Sequence, residues 1–331
     1  MMGLEPQKKF QEEIPMKKLF ALILVAILSM TAVSALAEWP ERAIELIVPA
    51  NPGGDTDANA RALAAALNEE LGWNVIVSNM SGGSGAVAFK DVLSNPDDGY
   101  RFVFYHSGAC ITQMMEMYDS FNVLDDFKLA GMPILDYSNA FISNSANPNF
   151  SDLPSMIEYM KANPGKVTFA TETGSFTHLH VLALEAAAGV EFNIVDAGTA
   201  AQKITELLGE RLDVIGTQAG LVRDYVTTGQ FTILGIMAED EMQLGDVTLK
   251  TVKEQGYDVV FSKFFYLAAP NAVDDAVIAA LNAGLQTAIT NAKFQEYAAS
   301  ALLDLTYMTP EETENYYQEQ YDLYAGFLLG E

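Results

Sequence analysis

Two glycine-containing loops hold the residues whose types and spacing could do chemistry. The first covers Ala50–Thr56 and the second Asn79–Gly85, and each lies between a predicted strand and a predicted helix. Glycine lets a backbone approach a ligand closely. The free N–H groups at a helix start, which is the positive end of the helix dipole, favour anions. The loops therefore predict an anion site; an ordinary strand–helix turn, capped by Thr56 or Asp57, is the alternative.

A carboxylate is the ligand that the two loops favour. Neither loop is followed by the Gly-Lys-Ser/Thr of a phosphate-binding loop, and the full dinucleotide-binding spacing is missing. Two such loops at the carboxyl ends of neighbouring parallel strands point into one crevice. Without a lysine that reads phosphate, we expect backbone N–H groups and hydroxyls to bind a carboxylate there.

A third loop, Thr171–Ser175, precedes a helix that carries His178 and His180. Histidines two residues apart on a helix face different ways, so a histidine that orders the loop is favoured over a metal site. Ser84 and Ser175 lie outside a Gly-x-Ser-x-Gly elbow, which argues against a hydrolase nucleophile. The sequence predicts no catalytic group, no metal site and no cofactor.

The elements that would position these loops alternate between strand and helix. A strand at Ile44–Val48 precedes a helix from Asp57 to about Leu71, and the alternation restarts with a helix at Asp152–Ala162. This order is typical of βαβ units with a parallel sheet. Two similar α/β halves without a flexible linker predict two lobes, a hinge and a ligand-binding cleft. Further helices are predicted at Ala86–Leu93, Ala200–Leu208, Ala219–Thr228 and Pro310–Leu328.

The N-terminal segment predicts export to the periplasm. Lys17-Lys18 precedes an apolar run from Leu19 to Leu28, and Ala35-Leu36-Ala37 forms a small-x-small cleavage site. The run is shorter than the ~20 residues that span a bilayer as a helix, so a membrane anchor is the disfavoured alternative. Residues 1–37 are therefore expected to be a cleaved signal peptide, of which residues 1–15 are an over-extended start.

Composition excludes several classes of partner. The chain has a formal net charge of −26, and removal of residues 1–37 takes away four lysines and three glutamates, so the remainder stays strongly acidic. Nucleic acids and anionic lipid surfaces need clustered Lys and Arg. The single Cys110 excludes an intrachain disulfide and a thiolate metal site. The remaining length favours two domains, and the acidity favours a soluble monomer.

The motifs together resemble the periplasmic receptors of tripartite tricarboxylate transporters, also called Bug proteins. The family pattern Val-Pro-x-x-x-Gly-Gly-x-x-Asp-x-x-Ala-Arg matches Val48 to Arg61 without a gap, after Trp39-Pro40. The resemblance extends over essentially the whole chain after the signal peptide. Its later matches are Asn79, Gly82 and Gly85, Pro96 to Tyr100 with one extra Asp, Asn163–Val167 with Gly174, Ser175 and His178, and Leu207–Val214.

The resemblance implies a two-domain Venus-flytrap fold, type II-like, with two crossover hinge strands. Residues 39–136 and 264–331 would form the first lobe, and residues 137–263 the second. Such a receptor is not an enzyme; it delivers a small carboxylate, an organic acid or an amino acid, to membrane permease subunits. Carried over by position, the ligand contacts are Asn51, Pro52, Gly53, Gly54, Asp55, Thr56, Ser81, Gly82, Gly83, Ser84, Thr171, Glu172, Thr173, Gly174, Ser175, Asp196, Ala197, Gly198 and Thr217.

Four residues depart from the family pattern. Ala50 replaces an aromatic residue, Asp196-Ala197 replaces Pro-Tyr, and Glu172 replaces a small residue. We hypothesise that the ligand's distal end carries an amine or several hydroxyls that meet Asp196 and Glu172, and that the ligand is not a bare tricarboxylate; the alternative is that one or both acids point to solvent. Two other functions stay open at this point: a ligand sensor for a two-component kinase, and a secreted hydrolase.

Overall fold

The computed structural model describes residues 39–95, 98–116, 118, 120–171 and 173–328. The chain divides into a short unit, residues 1–41, and a large unit, residues 42–331. Of the short unit the described part is residues 39–41, where the Trp39–Pro40 peptide bond is cis. The predicted signal peptide and Glu172 lie outside the described residues. Everything that follows concerns the large unit.

The large unit is built from strands and helices that alternate along most of the chain. The strands are β1 (Ile44–Val48), β2 (Val75–Asn79), β3 (Arg101–His106), β4 (Phe127–Asp136), β5 (Asn139–Asn144), β6 (Thr168–Thr171), β7 (Asn193–Asp196), β8 (Val214–Gln218), β9 (Phe231–Ile236), β10 (Met242–Leu244), β11 (Val247–Leu249), β12 (Lys263–Pro270) and β13 (Asp304–Leu305). The α-helices are α1 (Asp55–Leu71), α2 (Ala86–Leu93), α3 (Gly108–Met114), α4 (Val123–Asp126), α5 (Leu153–Ala162), α6 (Phe176–Ala188), α7 (Ala200–Leu208), α8 (Arg223–Thr227), α9 (Asp275–Ala288), α10 (Ala292–Ala301) and α11 (Pro310–Leu328).

The strands form two larger sheets and one small hairpin. The first sheet has the order β13-β4-β12-β3-β1-β2, and the second has the order β7-β6-β8-β5-β9. Strands β10 and β11 pair with each other. The chain leaves the first sheet between Asp136 and Asn139 and returns to it at Lys263, so each sheet is made almost entirely from its own stretch of sequence.

Both sheets are mixed, which corrects the expectation of parallel sheets. Strands β1, β2 and β3 are parallel, as are β6, β7 and β8. Strand β12 runs against β3 and β4, and β5 runs against β8 and β9. A helical crossover within one sheet imposes the parallel direction. Strands β5 and β12 are instead entered from the other sheet, so this constraint does not apply to them.

Local sequence explains most of the element boundaries. Strand β1 is almost entirely buried, as expected of a strand with neighbours on both sides and helices on the faces. Helix α1 ends at Gly72, whose φ of 67° is accessible to glycine at little cost. Helices α2, α7 and α11 have the predicted bounds.

Two helix predictions need correction. Helix α1 begins at Asp55 and its N-cap is Gly54, so neither Thr56 nor Asp57 is the N-cap. The helix predicted at Ala219–Thr228 is a 3-10 turn over Ala219–Val222 followed by the short helix α8. No helix of the described residues combines the length and the apolar character that crossing a membrane requires.

The C-terminal helix α11 packs where the chain crosses between the sheets. The ring of Tyr324 lies 6.0 Å from that of Phe176 and 5.8 Å from that of Phe261. Its hydroxyl donates a hydrogen bond to the carbonyl of Ser262, at 2.9 Å. Because Phe176 begins α6 beside the second sheet, α11 connects both halves of the large unit.

Candidate functional site

A cavity of about 180 Å³ lies where the loops of the two sheets meet. Pockets for drug-sized ligands span ~300–1,000 Å³, so this cavity fits a smaller molecule. The lining residues between 49 and 106, together with Lys263, form what we call the first wall, and those between 139 and 217 form the second wall. The lining residues are Pro49, Ala50, Asn51, Gly54, Asp55, Thr56, Ser81, Gly82, Ser84, Gly85, Tyr105, His106, Asn139, Gly174, Ser175, Phe176, Thr177, Gly198, Thr199, Ala200, Lys203, Gly216, Thr217 and Lys263.

Four helices begin at this cavity. Gly54 and Gly85 are the N-caps of α1 and α2 on the first wall, and Ser175 and Thr199 are those of α6 and α7 on the second. The first N–H groups of a helix have no acceptor within it, and the helix dipole places partial positive charge there. The convergence of four such ends therefore makes the cavity attractive to an anion.

The signature residues of the first motif connect the two loops of the first wall. The Asp57 carboxylate accepts hydrogen bonds from Gly53 N at 3.0 Å and from Asn79 Nδ2 at 2.9 Å. Arg61 pairs with Asp57 at 2.9 Å and donates to Asn79 Oδ1 at 3.1 Å. Asn79 also donates to the carbonyl of Ala50, at 3.1 Å. These side chains fix the shape of the loops and are absent from the cavity lining.

The second loop is fixed by two tyrosines. Ser84 has a φ of 48°, in the left-handed region that non-glycine residues rarely adopt. Its carbonyl accepts hydrogen bonds from the hydroxyls of Tyr105 at 3.2 Å and Tyr118 at 2.9 Å. A side chain on Gly85 would approach the Tyr118 hydroxyl to 3.0 Å. Glycine at this position therefore lets the loop lie directly on the tyrosines.

Hydroxyls dominate the third loop, on the second wall. The hydroxyls of Thr171, Ser175 and Thr177 lie 2.7–3.1 Å from one another. His178 Nδ1 accepts a hydrogen bond from Gly174 N at 3.2 Å, which confirms the prediction that a histidine orders this loop. His180 is buried instead, with its ring 4.3 Å from that of Phe176, and burial lowers its pKa to about 3.

The fourth loop, Gly198 to Ala200, begins α7. Thr199 and Gln202 form a capping box, in which each side chain accepts a hydrogen bond from the other residue's backbone N–H. Gly198 has a φ of 40°, and a Cβ there would lie 1.9 Å from Gln202 Oε1. A side chain at this position would displace Gln202 from the capping box, so glycine allows the tight turn that brings Ala200 and the start of α7 to the cavity.

The first wall contains an ion pair that spans 208 residues of sequence. Lys263 Nζ donates to Asp55 Oδ2, and their side chains are 8% and 19% exposed. Asp55 Oδ1 also accepts from Thr56 N at 2.8 Å. Burial opposes the charge of Asp55, but the charge and hydrogen bond of Lys263 outweigh it and lower the pKa of the carboxyl. Asp55 is therefore ionised at neutral pH.

Lys203 supplies a cationic side chain to the second wall. It is 7% exposed, and its Nζ donates to the carbonyl of Gly216 at 2.7 Å. Lys203 lies one turn into α7, so its ammonium group and the start of that helix add positive potential on the same side of the cavity.

His106 is a neutral hydrogen-bond donor at the cavity. Burial and the neighbouring Lys263 hold its pKa well below its usual range. Its Nδ1 accepts a hydrogen bond from Gly108 N at 2.8 Å, which assigns the proton to Nε2. The imidazole therefore contributes polarity to the first wall without adding charge.

Asp136 occupies the crossing between the two sheets, next to Lys263 in the strand register. Its carboxylate accepts from the backbone and hydroxyl of Ser138, both at 2.7 Å, from Asn139 Nδ2 at 2.7 Å and from Gln218 Nε2 at 3.2 Å. Burial outweighs these hydrogen bonds and raises the pKa of Asp136 to about 6. The carboxylate joins the end of β4 to two strands of the second sheet.

The cavity gathers residues from every predicted loop. Predicted residues in its lining are Asn51, Gly54, Asp55, Thr56, Ser81, Gly82, Ser84, Gly174, Ser175, Gly198 and Thr217. Predicted residues outside its lining are Pro52, Gly53, Gly83, Thr171, Thr173, Asp196 and Ala197. Asp196 ends β7 and is exposed, so its side chain lies on the solvent side, and Glu172 is outside the described residues. That the lining residues contact the ligand stays a prediction.

Two lysines, one histidine and the aromatic residues of the lining were not predicted from the sequence. His106 and Lys263 lie at the ends of β3 and β12, where a polar residue borders a buried apolar strand, and Asn139 has the same position in β5. That pattern could have indicated them. Tyr105, Phe176, Thr177, Ala200, Lys203 and Gly216 carried no such signal.

The sequence matches a known family of transport receptors. Residues 59–326 match the family described as "Tripartite tricarboxylate transporter family receptor". The chain belongs to this receptor family. BugT of Bordetella pertussis is 27% identical to this receptor over 321 residues, which cover 95% of this chain and 97% of BugT.

Solved structures show the same fold. The periplasmic binding protein BugD superposes with a TM-score of 0.80 at 24% identity, covering 88% of this receptor and 98% of BugD. Rpa4515 of R. palustris, solved with adipate, superposes with a TM-score of 0.79 at 21% identity, covering 87% of this receptor and 98% of that chain. The two-domain periplasmic-binding-protein fold predicted from the motifs is confirmed.

Proposed function

We propose that this receptor captures a small carboxylate in the cavity and delivers it, without chemical change, to membrane permease subunits. The observation that carries the proposal is the convergence of four helix N-termini and Lys203 on one small cavity. A relative solved with adipate supports a carboxylate ligand. Export to the periplasm through the signal peptide of residues 1–37 is part of the same proposal.

The proposed working motion is closure of two lobes, residues 39–136 with 264–331 and residues 137–263, about the two crossings of the chain. The crossing near Asp136 and the one that ends at Lys263 support these boundaries, because the sheets separate there. A ligand drives closure only through contacts that are stronger in the closed form. A molecule that touches both walls meets that requirement.

Ligand-dependent stabilisation tests the proposal. The purified receptor is unfolded, freed of carried-over ligand, refolded and heated with mono-, di- and tricarboxylates, amino acids, neutral sugars or inorganic phosphate. A ligand at 100 times its Kd stabilises the folded form by about 2.7 kcal/mol, so at least one carboxylate should raise the melting temperature by several degrees. Stabilisation by a sugar or phosphate alone would contradict the proposal, as would turnover of the bound acid.

The delivery step needs a separate test. Permease subunits encoded beside the receptor are reconstituted in liposomes, and uptake of the stabilising carboxylate is measured with and without receptor. We expect uptake only when the receptor is present. Uptake that is independent of the receptor would limit its role to binding.

A further inference from the structure

We propose that Gly220 and Arg223 of the second proposed lobe, through their contact with the C-terminal end of α10 in the first, hold the two lobes in the arrangement that binds the ligand. The inference rests on the proposed function, because it takes capture to require that both walls face one cavity. Both residues lie outside the lining of the cavity. We therefore assign them a positioning role, in which they set ligand affinity without touching the ligand.

The contact joins α10 to the 3-10 turn Ala219–Val222, which follows β8 directly. The Arg223 guanidinium donates a hydrogen bond to the carbonyl of Ser300, at 2.6 Å. The last carbonyls of a helix have no donor within it, and the last turn of α10 contains no basic residue of its own. The helix dipole favours a cation at this end, and the other lobe supplies it.

Gly220 brings the backbones of the two lobes together. A Cβ at this position would lie 2.7 Å from both the Cα and the carbonyl oxygen of Ala301. Backbone atoms cannot rotate out of the way as the end of a flexible side chain can. A larger residue would therefore push the turn and α10 apart, and glycine permits their close approach.

Leu302 adds an apolar contact between the lobes. It is the C-cap of α10, and its φ of 58° lies in the left-handed region that is unfavourable for a residue with a Cβ. Its side chain packs against the hydrophobic cluster of the second sheet, whose buried members lie between Ala140 and Leu249. An unfavourable backbone conformation in one lobe therefore accompanies packing onto the core of the other.

Each side of the contact is connected to one wall of the cavity. On the second wall, Thr217 lines the cavity and precedes Gly220 in the same strand–turn segment. On the first wall, the Tyr297 hydroxyl of α10 donates to Asn59 Oδ1 at 2.6 Å, and Asn59 lies one turn after Asp55 in α1. A change in the spacing between α10 and the turn therefore changes the spacing between the walls.

A second contact between the two halves differs in kind. Helix α11 meets α6 through the rings of Tyr324 and Phe176, which are buried. Separating these rings would expose apolar surface to water, which is unfavourable. In the α10 contact, Gly220, Arg223 and Leu302 are each partly exposed, and one hydrogen bond supplies the polar attraction. Of the two contacts, the one at α10 is therefore the one that breaks when the lobes separate.

Two substitutions remove the α10 contact in different ways. Arg223→Met deletes the charged hydrogen bond and keeps an unbranched chain, and Gly220→Ala places a methyl group against the α10 backbone. Two controls make the same exchanges within the second lobe. Arg211→Met breaks an ion pair with the end of α7, and Gly209→Ala adds a Cβ that meets no atom closer than 3.4 Å.

Ligand affinity is measured by isothermal titration calorimetry. The probe is the acid among succinate, malate, adipate, citrate, aspartate and glutamate that raises the melting temperature of the native receptor most. The apparent Kd rises as the population of the binding arrangement falls. We expect a rise of about fivefold or more in Arg223→Met, about tenfold or more in Gly220→Ala, and less than about twofold in both controls.

Urea unfolding without ligand separates this role from a merely structural one. Because the contact breaks when the lobes separate, the ligand-free Gly220→Ala receptor avoids the clash by opening. Its unfolding midpoint should therefore equal that of the native receptor while its affinity falls. A lower midpoint with native affinity would show that the contact is fixed packing, and would overturn the inference.

Electron–electron spin resonance measures the lobes directly, with or without ligand. Spin labels are attached to Ala65→Cys in α1 and Thr205→Cys in α7, both exposed, while Cys110 is buried. In Arg223→Met and Gly220→Ala the shorter distances of the native distribution should lose population to longer ones. Unchanged distances in both variants, or a change in Kd of less than about twofold in both, would overturn the inference and leave carboxylate capture standing. If the native receptor binds no acid, carboxylate capture fails, and the spin-label distances alone decide the inference.

Discussion

The two walls of the cavity are built from the same unit and differ in charge. Each consists of two loops that follow parallel strands and precede helix N-termini: β1 and β2 on the first wall, β6 and β7 on the second. The first wall carries both partners of an ion pair, Asp55 and Lys263. On the second wall, Lys203 donates to a backbone carbonyl beside hydroxyls and helix starts. Both walls therefore contain helix starts, and among the described residues only the first wall has an acidic side chain, Asp55, in its lining.

The two walls differ in side chains that line the cavity and not in the residues that fix the shape of the loops. The residues of the family motif, Asp57, Arg61 and Asn79, are committed to loop shape through their mutual hydrogen bonds. Asp55, two residues before Asp57, instead lines the cavity. In the first turn of α1, one acid therefore lines the cavity and the other fixes the shape of the loops.

The largest effect, on the free energy of unfolding, is expected when a substitution breaks the ion pair of the first wall. Lys263→Met leaves the Asp55 carboxylate buried without its cation, and we expect a loss of about 3–5 kcal/mol in the free energy of unfolding, measured with urea at neutral pH. Adding Asp55→Asn should restore most of it. Lys128→Met, which breaks a pair with the exposed Asp275, is the control and should cost less than about 1 kcal/mol. A double variant no more stable than Lys263→Met would contradict the assignment.

The next largest effect is expected from Asp136, whose carboxylate joins the end of β4 to β5 and β8 of the second sheet. The pKa of Asp136 is raised from 3.8 to about 6, so its contribution to stability is fully present below pH 3.8 and is lost as pH rises through 6. Relative to Asp136→Asn, the native receptor should gain up to about 3 kcal/mol between pH 7.5 and pH 4. Urea unfolding of both proteins across this range measures the difference. Parallel stability profiles would show that Asp136 has an ordinary pKa.

A smaller effect, on ligand affinity, is expected when the second wall loses its lysine. Lys203→Met removes its cationic side chain, and we expect affinity for the bound carboxylate to fall roughly 10- to 100-fold, the range of a charge-assisted hydrogen bond. Calorimetry measures this, with Lys166→Met as an exposed control on the same half of the chain. The asymmetry between the walls predicts a larger loss of carboxylate affinity in Lys203→Met than in the double variant Asp55→Asn with Lys263→Met. Equal losses would remove the distinction between the walls.

The smallest effect is expected at Asp196. Its replacement of the family's proline led to the hypothesis that it meets the ligand's distal end, but Asp196 is exposed and outside the cavity lining. Asp196→Asn should change the Kd of the best ligand by less than about twofold, because exposed charges are well screened by salt. A tenfold change would return Asp196 to the site and extend the second wall.

Local sequence predicted the parts of the fold that depend on neighbours along the chain. Helices α2, α7 and α11 have their predicted bounds because apolar periodicity and flanking Gly or Pro are local signals. Strand β1 has the predicted bounds Ile44–Val48 for the same reason. The mixed direction of the sheets was missed, because β5 and β12 are positioned by strand order, which no short segment of sequence encodes.

The candidate site divides in the same way. Glycines, hydroxyl residues and helix starts at the ends of strands indicated the first three loops, and the family resemblance indicated the fourth. The packing of the strands in three dimensions sets which side chains share the cavity. Strand β12 lies between β3 and β4, and this places Lys263 against Asp55 across 208 residues and beside His106. The charge balance of the cavity follows from that placement, because electrostatic partners are set by distance in space and not by distance along the chain.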